Sequence, residues 1–400
     1  MGSCRLAAGG RATIAVPLVV MSMLAGGCRS PVPFRGSPGP DAPVLAIGGP
    51  EPYVQPPHLP PPMVDQRGDL PDAPPDVYAA TQAGMLSAAA RRLPPRVYVP
   101  DAAGTSVDVI DAKTYRVIRR IPVGRTPQQV VPSWDLKTLW VTEPGGLVPL
   151  DPRTGSQGRT VPVATPSDLY FSVDGREALV MDARLGRIEI RDPRTMRFRS
   201  AMRVPCPGLT RADFSASGST LVAGCAGAGR LVRVDLDRHR VTGTLRLAAG
   251  ARPQDVRLSP DGTTFYVADM GRGGVWLIDA LNFRKLGFIH TGRGAHGLYP
   301  SRDATMLYVT NSGERTVSLI SFAQRRAVGS WRVPAAPDMA GVSADGRVLW
   351  LSARGADAVF AVSTRTGRAL RRIPVGPGPH GLCVHPQPGR FSLGHTGIYR

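Results

Sequence analysis

The chain has 400 residues, 42% of them hydrophobic, with 46 Gly and 40 Pro; this supports a sizeable core and disfavours long helices, whose interiors both residues interrupt. The formal charge of +19 is carried by arginine, the lysines being only Lys113, Lys137 and Lys285, which suits a solvated arginine face and attraction to polyanions. Five cysteines are too few for a disulfide scaffold, and they show neither zinc spacing nor a haem-attachment motif.

Arg5 and Arg11 precede an apolar stretch, Ile14 to Leu24, which is short for a membrane span and suits the core of a secretory signal. It ends Leu24-Ala25-Gly26-Gly27-Cys28. That ending resembles a bacterial lipobox with the leucine one place further upstream than usual, and the resemblance implies diacylation of Cys28; cleavage nearby without lipid is the alternative. Residues 1–28 are therefore read as a signal peptide of an exported, lipid-anchored protein of the cell envelope, on the outer face of the cytoplasmic membrane or beyond it. Residues 29–76, with Pro60-Pro61-Pro62, read as an extended spacer. Residues 77–95, alanine-rich and closing on Arg91, Arg92 and Pro94-Pro95, read as one short helix packed outside the domain that follows, 96–400.

Within 96–400 the positions Ser133, Ser172, Ser215, Ser259, Ser301, Ser343 and His385 recur about every 42 residues, each closing a short apolar run and opening a polar turn. A period of about 40 to 50 is that of propeller blades. Second strands follow, such as Leu139-Trp140-Val141 and Phe265-Tyr266-Val267, then third strands such as Val275-Trp276-Leu277-Ile278-Asp279. The fourth strands are basic, Arg119-Arg120-Ile121-Pro122-Val123-Gly124 being echoed by Arg371-Arg372-Ile373-Pro374-Val375-Gly376. The fold expected is all-β: a seven-bladed β-propeller of four-stranded antiparallel blades, closed by sharing one blade between the termini. Both Val97-Tyr98-Val99 and Phe391-Ser392-Leu393 fit the second strand of that blade.

Leu307-Tyr308-Val309-Thr310-Asn311, with Gly313 and Thr316-Val317-Ser318-Leu319-Ile320 after it, resembles the repeat of the YVTN, or YncE-like, β-propeller family over nearly all of 96–400. The resemblance implies an extracytoplasmic propeller, and related propellers include lactone hydrolases, lyases and quinone-dependent dehydrogenases. Thr220-Leu221-Val222-Ala223-Gly224-Cys225 departs from the pattern.

Nucleophile-elbow, phosphate-loop and zinc-protease signatures are absent from the sequence. Aligning the units places Gln128, Ser167, Thr210, Gln254, His296, Asp338 and His380 at the entrances of the first strands, around one mouth of the channel. Of these, His296, Asp338 and His380 come from three successive blades and would make a two-histidine, one-carboxylate divalent metal site or an acid/base pair. The competing reading has the histidines hydrogen-bonded to neighbouring blades. Asp111, Asp151, Asp192, Asp235 and Asp279 recur at third-strand ends and read as turn residues. Cys206 and Cys225, in one blade and near a hairpin, are expected to form a disulfide in an oxidising compartment, with Cys383 free.

The function expected is a non-catalytic binding platform, a monomer without cofactor, for an envelope protein or anionic polymer, with weak nucleic-acid binding through its arginines. The alternative is a lactonase- or lyase-like propeller enzyme using the channel mouth, metal-dependent if His296, Asp338 and His380 hold an ion.

Overall fold

A recurring turn sets the period. In five units the serine that closes the first strand (Ser133, Ser172, Ser259, Ser301, Ser343) donates its hydroxyl proton to the aspartate two residues on. The same hydroxyl accepts the N–H five residues on, from Thr138, Glu177, Thr264, Met306 and Val348 respectively. Ser215 makes the equivalent turn, its hydroxyl paired with that of Ser217 and accepting the N–H of Thr220. Such side-chain-to-backbone bonds define a tight turn and with it the register of the hairpin.

The computed structural model describes residues 76–88 and 90–400. The signal segment, Cys28 and the spacer up to residue 75 lie outside the described residues. The described residues form an all-β, seven-bladed propeller of antiparallel blades. Six blades follow in chain order: 129–162, 168–203, 209–246, 253–290, 295–332 and 340–374, called here the first to the sixth. In the seventh sheet, the inner strand Cys383–His385 pairs with Arg96–Pro100, followed by Ser106–Asp111 and Arg116–Pro122. Val97-Tyr98-Val99 thus takes the second-strand place that the sequence left open between two segments.

Blades are covered on both faces, so their second strands are buried along their whole length and apolar up to a polar end: Leu139–Glu143 and Ala178–Asp182 are buried at every position. The core lies between blades. Val131, Trp140 and Leu147 of the first, for example, pack on Leu169, Phe171 and Val180 of the second. Outer strands have an exposed face, and Arg240–Arg246 alternates accordingly.

The ends of the second strands hold the loops that lead into the first strands. Asp269 Oδ1 accepts the N–H of Arg252 at 2.7 Å, and Asn311 Oδ1 accepts the hydroxyl of Thr291 at 3.1 Å. In the third blade Cys225 stands at this position and is joined to Cys206, with Cα atoms 5.0 Å apart. The bond replaces a polar tie with a covalent one, which accounts for the departure at Thr220–Cys225 from the pattern of the other units. Cys383 is free and buried.

Two segments differ from their sequence-based reading. The lead-in 77–95 holds two 3-10 turns, Ala79–Thr81 and Ala90–Arg92, in place of one helix. Gly84 at φ 85 breaks the run between them. The lead-in also reaches inward, for Tyr78 is buried and donates its hydroxyl to the carbonyl of Leu258 at 2.8 Å. Phe391-Ser392-Leu393 belongs to a C-terminal tail whose strand Ser392–Gly394 pairs with the inner strand Asp168–Phe171 of the second blade, making that sheet six-stranded with Ile398–Tyr399. Gly394, at φ 97, is required there, because a Cβ would lie 2.4 Å from the carbonyl oxygen of Leu169.

Candidate functional site

The inner strands that line the channel carry charges in mid-strand. Arg211 and Asp213 of the third blade and Asp255 and Arg257 of the fourth are all buried. Their carboxylates staple neighbouring blades: Asp213 accepts the N–H of its own Phe214 at 2.7 Å and of Leu258 in the next blade at 2.8 Å. Asp255 repeats this with Val256 and Leu298, both at 2.9 Å. Burial pushes the Asp255 carboxyl up, but Arg257, His395, Arg211 and the amide bond outweigh it and hold the group below its ordinary value. These charges were not singled out from sequence. The signal was there in Arg211-Ala212-Asp213 and Asp255-Val256-Arg257, where charges alternate with apolar residues in strands expected to face a channel.

The tail brings the counter-groups. His395 Nδ1 lies 2.9 Å from Asp168 Oδ2, and Arg400 Nη2 lies 3.0 Å from Asp213 Oδ1. The Arg400 guanidinium also sits 5.0 Å from the ring centroid of Tyr78, so the tail meets the lead-in over the channel. Between tail and wall remains a cavity of about 40 Å³ touching Tyr78, Arg257, Tyr299, Arg302 and Tyr399. The tail meets the last residues of some first strands, as at Asp213, and in the second blade it reaches Asp168, the first residue of its strand.

At the entrances, His296, Asp338 and His380 do converge. His380 Nδ1 lies 2.6 Å from Asp338 Oδ2, and His296 Nδ1 lies 3.0 Å from the Asp338 carbonyl and 3.4 Å from its Oδ1. Arg354 Nε donates to Asp338 Oδ2 at 3.1 Å. Arg211 Nη1 lies 3.3 Å from His296 Nε2. A guanidinium can only donate, so His296 Nε2 accepts and its proton resides on Nδ1, facing Asp338. Burial, followed by Arg211, lowers the His296 pKa to about 4 despite Asp338. Burial also lowers His380, opposed by Asp338. At Asp338 burial acts upward, and His380, His296 and Arg354 together carry the carboxyl well below its usual range. The arrangement gathers two imidazoles and a guanidinium on one carboxylate, whose ionised form they favour.

This donor set does not suit a divalent cation. The Nε2 lone pair of His296 faces Arg211, and the carboxylate is engaged by His380 and Arg354. His380 Nε2 alone of these imidazole nitrogens has no partner among the described residues. No group of three metal-ligating side chains is placed for an ion among the described residues. The rest of the ring is turned aside: Gln128 donates to the Thr126 carbonyl at 2.9 Å, Ser167 to Met181 at 3.0 Å, Thr210 to Pro253 at 3.2 Å and Gln254 to Arg252 at 3.3 Å. Asp111, Asp151, Asp192, Asp235 and Asp279 accept backbone N–H groups two or three residues on.

Among solved structures, hydrazine synthase of Kuenenia stuttgartiensis is similar at 18% identity and a TM-score of 0.59, over 68% of this chain and 92% of that one. A Desulfotomaculum acetoxidans protein of unknown function gives 17% and 0.62, over 73% and 99%. A Bacteroides uniformis protein described as a candidate 6-phosphogluconolactonase gives 18% and 0.58, over 72% and 99%. At such identities the likeness is one of fold. A search of curated proteins returns no match. The model of the YNCE-like β-propeller family matches residues 63–388, four-fifths of the chain and every blade described above, and the chain belongs to that family.

Proposed function

We propose that this chain is a non-catalytic binding propeller of the cell envelope, exported and tethered through lipid on Cys28, whose circumference holds an anionic polymer. The observation that carries the reading is the outer strands. Six of the seven carry cations: Arg116, Arg119 and Arg120; Arg199 and Arg203; Arg240 and Arg246; Lys285; Arg326 and Arg332; Arg371 and Arg372. Among the described residues only Arg120 and Arg199 of these have carboxylate partners, Asp108 and Asp192. Charge on an edge strand blocks sheet-to-sheet association. So many unpaired guanidiniums also create a field that attracts anions. The enzyme reading asks the mouth for a free donor set, and there the side chains are mostly engaged with one another.

The test is retention of the purified mature protein on an immobilised carboxylated polysaccharide, polygalacturonate, against neutral dextran. Retention on the first alone, released by salt, supports the reading. Equal behaviour on both sinks it.

A further inference from the structure

The chain carries its own comparison, because seven blades repeat one plan and a departure by one of them stands out. Two departures meet in the cleft between the fifth and sixth blades, a space of about 640 Å³ whose lining includes Arg315, Trp331, Arg332, Thr366, Gly367 and Arg368. At the place of Trp331 the other outer strands put an aliphatic or thioether side chain, buried for Ile121, Met202, Ile289 and Ile373 and partly buried for Val161 and Leu245. Trp331 is only partly buried. Its indole lies on the backbone of Gly367, where a Cβ would come 2.2 Å from the ring, so Gly367 is what allows the ring to lie in the cleft.

The second departure is Arg315. In the turn between second and third strands the second, third and fourth blades use Gly186, Gly229 and Gly273 at φ 60, 58 and 66, the sixth uses Asp357 at φ 44, a residue type that tolerates left-handed backbone, and the fifth uses Arg315 at φ 53. Left-handed backbone is free of strain for glycine and costly for arginine. Arg315, Arg332 and Arg368 have no carboxylate partner among the described residues, and the nearby Glu314 faces Arg293 at 3.5 Å.

We propose that this cleft is a subsite for an acidic glycan, a sugar ring stacking on Trp331 while its carboxylate or phosphate is held by Arg315, Arg332 and Arg368. This rests on the polyanion reading above and names the place and chemistry of the contact. Guanidinium groups bind such anions through paired, charge-assisted hydrogen bonds, and the cleft's volume is that of a small-ligand site. The Cys206–Cys225 disulfide suits the exported location proposed above, and an envelope glycan is the polyanion to which the proposal commits.

Affinity electrophoresis of the full mature protein through gels containing polygalacturonate, dextran or single-stranded DNA tests this. Trp331→Ala and Arg315→Gly are each expected to weaken polygalacturonate binding about tenfold, the loss of one good contact, while Arg240→Ala, on a distant outer strand, changes it less than about twofold. Arg315→Gly should melt at or above the wild-type temperature, since glycine relieves the turn, which separates lost binding from lost folding. Equal effects of Arg315→Gly and Arg240→Ala would overturn the cleft and leave the rim reading standing. No retardation of the wild type would overturn both, and tighter binding to DNA than to polygalacturonate would overturn the glycan assignment.

Discussion

Arg400, the last residue, places its Nη2 3.0 Å from Asp213 Oδ1, 187 positions earlier in the chain, and so ties the C-terminal tail to the inner strand of the third blade. The pair is buried, Asp213 completely. Removing one partner of a buried ion pair leaves a charge with no compensation, at a cost of about 3–5 kcal/mol. Arg400→Ala is accordingly expected to destabilise the propeller by about 3 kcal/mol in denaturant unfolding, the amide bonds to Asp213 offsetting part of the loss. A change below about 0.5 kcal/mol, the level of an ordinary surface substitution, would show the tail to be ornamental.

The Cys206–Cys225 bond encloses a loop with a sequence separation of 19 residues. Loops of that size stabilise by about 3 kcal/mol when closed. Reduction, or Cys225→Ser, should lower the melting temperature, and the denatured, unreduced protein should show Cys383 as the one free thiol of the propeller. Burial pushes the Cys383 thiol up, so in the native state it should resist alkylation. Rapid native labelling of Cys383 would contradict the buried placement.

Stability should fall in mild acid. Burial lowers the pKa of His296 and of His385 to about 4, against about 6.5 in the unfolded chain. As pH drops, the unfolded chain takes up protons first, so these two contributions are whole above about pH 6.5 and are lost progressively down to about 4. Asp101 works the other way. Burial raises it from 3.8 to about 6, so the native state holds that proton more tightly and gains as pH falls through the same window. His380 is lowered and Glu143 raised in the same senses, so three imidazoles against two carboxyls leave a net loss, visible as a declining denaturation midpoint. His385→Ser, which installs the residue six other units use, should flatten the decline; an unchanged slope would assign it elsewhere.

Asp338 raises the pKa of His380 against the effect of burial. Asp338→Asn should therefore lower the His380 pKa further in an NMR titration, with about 2 kcal/mol lost from charge-assisted bonds. A rise in that pKa would mean that the dyad is not what holds the imidazole.

The blade period was legible because one serine turn with one set of hydrogen bonds is written out six times. Aligning the units was also enough to bring His296, Asp338 and His380 to one place. The charges at Arg211, Asp213, Asp255 and Arg257 escaped because part of their compensation comes from His395 and Arg400, in a tail with no counterpart in the repeat. The lead-in misled for a related reason. Its alanines match a helix, but Tyr78 is held by the Leu258 carbonyl and Arg400, tertiary contacts that local propensity does not contain.

The salt dependence of polygalacturonate affinity tests the central claim most directly. If the unpaired arginines of the outer strands hold the polymer, the logarithm of the association constant should fall linearly with the logarithm of salt concentration, each contacted anionic group contributing up to about one unit of slope. Several contacts would give a slope of several units, and dextran would not bind at any salt concentration. An affinity that stays constant from low to high salt would contradict the account.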